Sequence, residues 1–271
     1  MIELASGDVV VQVSPNDGGR VASIVVAGVE LLVTDDHPDD HHDDHPDDHP
    51  DDHHDDPKLW GSYPMVPWAG RVRGATFEWR GRRIDLVANM GRHAIHGTAF
   101  VSAWDVLDDG PDFCEMQCAL TWPLGGTAHQ HVQLTPDALV CVLTAVAGHD
   151  AMPVTLGWHP WFRKPAHDDL YFGAMYEQDD EGIPTGVLVE PRPRPWDDCF
   201  VRPLSPLRLH LAEGLTVTVS SDCDHWVAYD QPAHATCVEP QSGPPDAFNL
   251  GNAVVLEPGE MLQRTMTIAW S

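Results

Sequence analysis

The chain has 271 residues, 42% of them hydrophobic, and a formal net charge of −27 at pH 7. This length and apolar content are enough for a sizeable buried core. Its 15 Lys and Arg are scattered among 42 Asp and Glu, so we expect no cationic surface for phosphate and exclude nucleic acid as a partner.

Predicted strands follow one another along the chain, with no helical stretch of convincing length between them. The β-branched runs near the N-terminus are separated by turns that contain Gly, and apolar residues at 215–220 alternate with Thr and Ser. The pattern predicts an all-β fold, a large antiparallel β-sandwich, formed by a single domain over residues 1–271. The candidate strands are 9–13, 21–26, 29–33, 113–122, 138–147, 215–220, 226–229, 253–256 and 265–270.

Residues 35–56 differ from the rest of the chain. They contain twelve Asp, seven His and three Pro in an Asp-Asp-His repeat, without any apolar residue. Because such a segment buries nothing that would offset its ordering entropy, we predict a disordered insertion. His and Asp at this density predict weak binding of divalent metals, but a low-complexity repeat imposes no fixed coordination geometry, so a dedicated metal role is not expected.

The spacing of the cysteines and the N-terminal sequence indicate the cellular compartment of the protein. The six cysteines form no Cys-x-x-Cys pair and no spacing typical of a metal site or a disulfide scaffold. No cationic and then apolar leader begins the chain, and no apolar run is long enough to cross a bilayer. We therefore expect a cytoplasmic protein without a membrane partner.

Three short segments each present one titratable side chain among apolar residues, beside a Gly or Pro that holds the backbone in place. An imidazole acts as acid or base near neutral pH, and apolar surroundings raise the pKa of a carboxyl toward that range. The set therefore predicts proton transfer, although each residue alone is also compatible with a structural role. The segments are Ala94-Ile95-His96-Gly97, Gly157-Trp158-His159-Pro160 and Cys237-Val238-Glu239-Pro240.

The sequence contains no motif for a nucleotide cofactor. No Gly-x-Gly-x-x-Gly follows a predicted strand, and no Gly-x-x-x-x-Gly-Lys-Ser/Thr occurs. Two His and one carboxylate form metal sites elsewhere, but His96, His159 and Glu239 lack any local His-x-x-x-His pairing. We expect neither a cofactor nor a resident metal.

Longer motifs surround these residues and occur in a fixed order. They are Gly61-Ser62-Tyr63-Pro64-Met65-Val66-Pro67-Trp68-Ala69-Gly70-Arg71-Val72, His96-Gly97, Trp104, Gly157-Trp158-His159-Pro160-Trp161-Phe162, Cys237-Val238-Glu239-Pro240-Gln241-Ser242-Gly243-Pro244-Pro245-Asp246-Ala247-Phe248-Asn249 and Leu256-Glu257-Pro258-Gly259-Glu260. The ordered set resembles the aldose 1-epimerase (galactose mutarotase) family over nearly the whole chain. The resemblance implies a β-supersandwich with its site in a groove on the concave sheet. It also implies an isomerase that interconverts the anomers of a free aldose, a small-molecule sugar.

The same resemblance implies roles for the matching residues. His159 is the expected general acid, Glu239 the general base and His96 a second imidazole at the sugar ring oxygen. Arg71, in the Gly-Arg-Val motif, is expected to contact sugar hydroxyls.

Several points stay open at the level of sequence. A sugar-binding aspartate is expected in a segment ending Asp-x-x-Phe, where Asp197 is the best match and Asp198 the alternative. Of Trp68, Trp158 and Trp161, we select Trp158 for stacking against substrate, because indole rings offer flat platforms for sugars. The sequence does not distinguish among a neutral, a phosphorylated and a sulfonated sugar as substrate. The alternative function is a non-catalytic carbohydrate-binding or sugar-sensing protein on the same scaffold.

Overall fold

Two large antiparallel sheets build most of the protein. The computed structural model describes residues 1–35, 56–211 and 214–271, and within these ranges the first sheet has eleven strands and the second eight. The strands are β1 Ile2–Ser6, β2 Val9–Ser14, β3 Arg20–Val26, β4 Val29–Glu30, β5 Ser62–Met65, β6 Arg71–Val72, β7 Thr76–Trp79, β8 Arg82–Asp85, β9 Ala94–Ile95, β10 Asp105–Asp109, β11 Phe113–Ala119, β12 Thr127–Leu134, β13 Ala138–Val146, β14 Met152–Val154, β15 Gly157–Arg163, β16 His167–Asp169, β17 Phe172–Gln178, β18 Pro184–Val189, β19 Asp197–Pro203, β20 Leu207–His210, β21 Thr216–Ser221, β22 His225–Tyr229, β23 Ala235–Gln241, β24 Val254–Leu256 and β25 Met261–Trp270. Helical elements in these ranges include α1 Ala247–Leu250 and the 3-10 turns Arg73–Ala75 and Ala99–Val101.

The order of the strands places β15 and β23 side by side in the middle of the first sheet. That order is β1-β2-β3-β5-β15-β23-β22-β19-β17-β18, with β4 attached to β3, and the second sheet runs β10-β11-β12-β13-β25-β21-β20-β16. Both central strands are hydrogen-bonded on each side, so their backbones are held more firmly than those of an edge strand. The prediction of an all-β, antiparallel β-sandwich is confirmed.

Successive side chains along each strand of the first sheet point to opposite faces, so one face packs on the hydrophobic core and the other does not. Trp158 and Phe162 of β15 lie in the main core cluster, as does Val238 of β23. Fully burying an apolar side chain of this kind contributes roughly 1.5–3 kcal/mol. The alternate residues, His159 and Glu239, therefore point to the other face of the sheet.

Several predicted strands match the observed ones closely, but two extend too far. The run 9–13 lies within β2, and 138–147 corresponds to β13. In the run 29–33, strand β4 covers Val29–Glu30, after which Leu32 forms an isolated bridge with Phe162. The run 113–122 is likewise too long, because β11 ends at Ala119 before a turn closed by the Gly125 N–H and the Trp122 carbonyl.

The Asp/His-rich insertion meets the described chain at Asp35 and Asp56. Residues 36–55 lie outside the described ranges, so the disorder and the weak metal binding of 35–56 stay predictions. In the part of the chain that is described, no helix has the length and apolar character needed to cross a bilayer. The six cysteines are free and buried.

Candidate active site

A cavity of about 160 Å³ opens on the face of the first sheet that lies opposite the core. Five residues selected from the sequence line it: Arg71, His96, His159, Asp197 and Glu239. They come from five separate regions of the chain and meet around one concavity.

The centre of the cavity is a pair formed by His159 and Glu239 on neighbouring strands. In the β15–β23 register, Gly157 pairs with Gln241 and Trp161 with Cys237, so His159 and Glu239 lie opposite each other between these pairs. Nε2 of His159 is 3.2 Å from Oε1 of Glu239, and the two side chains are 7% and 3% exposed. This separation lets the two atoms share one proton.

His96 reaches the same point from a loop that follows β9. Its backbone is left-handed, with φ of 64°, and its N–H donates to the Gly70 carbonyl at 3.1 Å. The next residue, Gly97, also has a positive φ, and a Cβ there would lie 2.1 Å from the Val66 carbonyl oxygen, so this position requires glycine. The His96 and His159 rings meet edge to face, with centroids 5.0 Å apart.

Gln241 is a member of the site that the sequence reasoning missed. It is fully buried, lines the cavity, and donates from Nε2 to Oε2 of Glu239 at 3.1 Å. The signal that would have found it is its position two residues after Glu239 on one strand, since residues i and i+2 share a face. The two oxygens of Glu239 therefore have different partners, His159 on one side and Gln241 on the other.

Burial sets the protonation of the central residues. Loss of solvation raises the pKa of Glu239 well above its usual range, and nearby Asp197 raises it further. The Gln241 hydrogen bond and Arg71 act in the opposite direction. Loss of solvation also lowers the pKa of His159 to about 3, and it lowers the pKa of His96 well below its usual value, helped by His159. Burial therefore favours the form of the pair in which carboxyl and imidazole are both neutral and hold one proton between them.

Arg71 and Asp197 form a polar wall beside the pair. Arg71 lies on β6, which pairs with β9, and its guanidinium donates to Oδ2 of Asp197 at 3.3 Å and to the Gly182 carbonyl at 3.4 Å. The side chains are 20% and 35% exposed, so both keep an open side for a ligand.

The choice between Asp197 and Asp198 follows from the pleat of β19. Both aspartates border the cavity, and Asp197 pairs with Tyr229 of β22, another residue that lines it. The carboxylate of Asp198 is fully buried and accepts from Nε and Nη2 of Arg192 at 3.0 and 2.8 Å. Asp197 is therefore the aspartate with a side chain available to the cavity.

The prediction that Trp158 stacks against substrate is wrong. Trp158 is 1% exposed, belongs to the core cluster, and donates from Nε1 to Oε1 of Gln130 at 3.1 Å. Alternation along β15 sends it to the core because His159 faces the cavity. Trp161 shares the face of His159 and lines the cavity, with ring centroids 5.3 Å apart and planes at 19°.

Donor atoms for a metal also occur at this site. One atom each from His159, Cys237 and Glu239 lies within 4.8 Å of the others, and the three residues are buried. The group differs from the trio considered from sequence, because Cys237 takes the place of His96.

Comparison with known proteins assigns the chain to a family. Residues 1–269 match the aldose 1-epimerase family. A 107-residue segment is 32% identical to the uncharacterized protein YphB of Escherichia coli K12, and this segment covers 37% of the present chain and 36% of YphB. The match thus spans little more than a third of that relative.

Solved structures share the fold at low sequence identity. A galactose mutarotase-like protein from Clostridium acetobutylicum superposes with a TM-score of 0.83 at 18% identity, covering 99% of this chain and 94% of that one. A GalM/aldose epimerase homologue from C. elegans gives 0.80 at 16%, covering 100% and 98%. Galactose 1-epimerase from Lactobacillus acidophilus gives 0.76 at 17%, covering 98% and 92%. Taken with the family match over residues 1–269, these findings show that the chain belongs to the aldose 1-epimerase family.

Proposed function

We propose that the protein is a mutarotase that interconverts the α and β anomers of a free aldose by general acid–base opening and closing of the sugar ring. The observation that carries the proposal is the 3.2 Å contact between Nε2 of His159 and Oε1 of Glu239 at the base of the cavity. Family membership supports the reaction type.

The closeness of the acid and the base suits this reaction. Ring opening removes a proton from the hydroxyl on C1 and delivers a proton to the ring oxygen, and both oxygens are attached to the same carbon. Two groups that serve neighbouring oxygens must themselves be neighbours, within hydrogen-bond reach of the reacting atoms. His159 and Glu239 meet this requirement without any large movement.

The proton balance of the cycle closes within the pair. The shared proton first moves from Glu239 to His159 across their 3.2 Å contact. In ring opening, the Glu239 carboxylate then takes the C1 hydroxyl proton while the His159 imidazolium protonates the ring oxygen, which leaves a neutral carboxyl and a neutral imidazole. The aldehyde then rotates about C1–C2. In ring closure, neutral His159 takes the proton from the attacking hydroxyl and Glu239 returns one to the carbonyl oxygen. The pair holds one proton at the start and at the end.

The remaining residues have binding and supporting roles in this proposal. His96, 5.0 Å from His159 between ring centroids, supplies the second imidazole near the ring oxygen. Arg71 and Asp197 offer donors and acceptors to sugar hydroxyls, and Trp161 replaces Trp158 as the aromatic wall.

The charges of the wall favour a neutral sugar. Among the described residues, the cations that line the cavity are Lys58 and Arg71. Each already has an acidic partner, Asp56 at 2.8 Å and Asp197 at 3.3 Å. These carboxylates offset the positive charge that would otherwise attract a phosphate or sulfonate group.

The test is the rate of anomer interconversion in Glu239→Gln and His159→Asn, followed by polarimetry or one-dimensional NMR on freshly dissolved α-sugar. General acid–base catalysis contributes about 10²–10⁴-fold per group, so each variant should slow the reaction by that order. The matched controls are Glu115→Gln and His131→Asn, because these residues form a comparable His–Glu pair at 3.1 Å on the surface. Sugar binding by calorimetry without any acceleration in the unmodified protein would replace the proposal with the non-catalytic alternative.

A further inference from the structure

Cys237 is a buried thiol that the proposed reaction does not use. It lies two residues before Glu239 on β23, on the same face of the strand, and it is fully buried. Trp161 is its cross-strand neighbour on β15. The thiol thus lies beside the acid–base pair.

The three donor atoms lie close to the spacing of a tetrahedral metal site. Bond lengths of about 2.0–2.3 Å in zinc sites put neighbouring donor atoms roughly 3.3–3.8 Å apart. The His159–Glu239 contact is 3.2 Å, and all three donors are within 4.8 Å of one another. Shifts of about an ångström in side-chain position would therefore bring the three donor atoms to the spacing of a zinc site.

A second observation concerns buried polar atoms of the two histidines that lack a hydrogen-bond partner. Nδ1 of His159 and Nδ1 of His96 are buried and have no hydrogen-bond partner within residues 1–35, 56–211 and 214–271. Buried nitrogens of this kind are rare in proteins and often mark a position for a ligand, an ion or water. Both imidazole rings line the cavity.

We propose that His159, Cys237 and Glu239 bind a thiophilic divalent cation of the Zn²⁺ class, and that this binding excludes sugar from the cavity. Thiolate, imidazole and carboxylate together are ligands that Zn²⁺ prefers, with the fourth position left to water or to His96. Binding requires no redox step, since the thiol proton and any proton held by the carboxyl leave to solvent as the metal–ligand bonds form.

The consequence for catalysis rests on the proposed function. A cation bound to His159 and Glu239 occupies the atoms that would exchange protons with the sugar. Zn²⁺ is therefore an inhibitor that competes with the aldose, and it is not needed for the reaction.

The first experiment detects the metal bond itself and does not depend on catalysis. Co²⁺ is added to the full-length protein, and the near-ultraviolet charge-transfer band of a Co²⁺–thiolate bond is recorded. The Asp/His-rich residues 35–56 also attract divalent cations, but they contain no cysteine and cannot give this band. We expect the band in the unmodified protein and in Cys199→Ala, a buried thiol of the same sheet outside the group of three. We expect its loss in Cys237→Ala.

The second experiment measures inhibition. For each variant, the rate with Zn²⁺ is divided by the rate without it, so that changes in the basal rate cancel. Cys237→Ala should need more than about tenfold higher Zn²⁺ than the unmodified protein for the same inhibition, as expected for a lost ligand. Raising the sugar concentration should relieve inhibition in the unmodified protein.

Every outcome bears on the proposal. Absence of the Co²⁺ band in the unmodified protein overturns it, as does a band that persists in Cys237→Ala. If Cys237→Ala does not fold, Cys237→Ser replaces it, because serine preserves the volume and is a poor zinc ligand. A clear Co²⁺ band in a protein without mutarotation would retain the metal site and reject the enzyme, so the two proposals fail separately.

Discussion

Nε2 of Gln241 donates to Oε2 of Glu239 at 3.1 Å, from the same face of β23. Because Gln241 holds this oxygen as an acceptor, a proton on Glu239 is directed to Oε1, which faces His159 at 3.2 Å. Gln241 therefore selects the carboxyl oxygen that takes part in proton exchange, and acts as a positioning residue in the proposed reaction.

The first prediction concerns Gln241→Leu. The amide hydrogen bond lowers the pKa of Glu239, so its loss should raise that pKa further and move the alkaline limb of the rate profile to higher pH. A hydrogen bond to a charged group contributes about 1.5–3 kcal/mol, which corresponds to a rate loss of roughly 10- to 100-fold. The measurement is the mutarotation rate across pH.

The control for this prediction is Gln263→Leu, an exposed glutamine on β25. This variant should change neither the mutarotation rate nor the pH values at which the rate falls. A Gln241→Leu variant that loses stability without any displacement of the alkaline limb would show a purely structural role.

The second prediction links Glu239 to stability. Its pKa is raised in the folded state, so its favourable contribution is complete below the usual carboxyl pKa and declines as pH rises toward the folded-state value. The amide that replaces the carboxyl in Glu239→Gln does not titrate. The melting temperature of Glu239→Gln minus that of the unmodified protein should therefore increase from about pH 4 to pH 8.

Differential scanning calorimetry or circular dichroism over this pH range checks the trend. Glu115→Gln is the matched surface control and should give a flat difference. A difference that stays constant or decreases for Glu239→Gln would mean that the carboxyl is ionised in the fold at little cost.

The third prediction separates the chemistry of His96 from its backbone conformation. His96 has φ of 64°, a left-handed value that Asn tolerates well and β-branched residues do not. His96→Asn should retain folding stability within about 1 kcal/mol while slowing mutarotation, since an amide does not replace an imidazole in proton transfer. His96→Val should add about 1–3 kcal/mol of backbone strain.

Denaturant unfolding of both variants measures the stabilities, and polarimetry measures the rates. Equal destabilisation by Asn and Val would show that the left-handed backbone is not maintained. An unchanged rate in His96→Asn would remove His96 from the catalytic group.

Local patterns in the sequence predict the sheets and much of the site, but not its long-range geometry. The period-two rule applied to His159 and Glu239 would have placed Trp161, Cys237 and Gln241 on the cavity face. The rule does not say which strands become neighbours. The contact of His96 with His159 depends on how the loop after β9, with its left-handed residue His96, packs against β15. The local sequence does not predict the distance between these two rings.

Asp197 and Asp198 show the same limit. Adjacent residues on a strand face opposite sides, and either aspartate satisfies the motif. Both aspartates border the cavity, but Asp197 lies opposite Tyr229 with its side chain 35% exposed, whereas the side chain of Asp198 is fully buried. The partner of Asp198, Arg192, lies before the strand and has no recognisable spacing that would have predicted the ion pair.

The fourth prediction contrasts the two tryptophans of β15. Trp158→Phe removes the indole donor from Oε1 of Gln130 inside the core. A buried acceptor left unpaired costs about 1–3 kcal/mol, so the free energy of unfolding should fall by that amount while KM stays unchanged. Trp161→Leu should instead raise KM and lower kcat, because Trp161 lines the cavity and its ring stacks on His159.

The two variants serve as controls for each other, because both remove an indole from the same strand and differ in the face they alter. Denaturant unfolding and steady-state mutarotation kinetics are measured on each. Since a hydrogen bond from Nε1 of Trp161 to the Lys58 carbonyl at 2.7 Å also anchors the cavity wall, some loss of stability is expected in Trp161→Leu. The decisive quantity is therefore KM. An increase in KM for Trp158→Phe, with none for Trp161→Leu, would reverse the assignment of the two faces and restore stacking by Trp158.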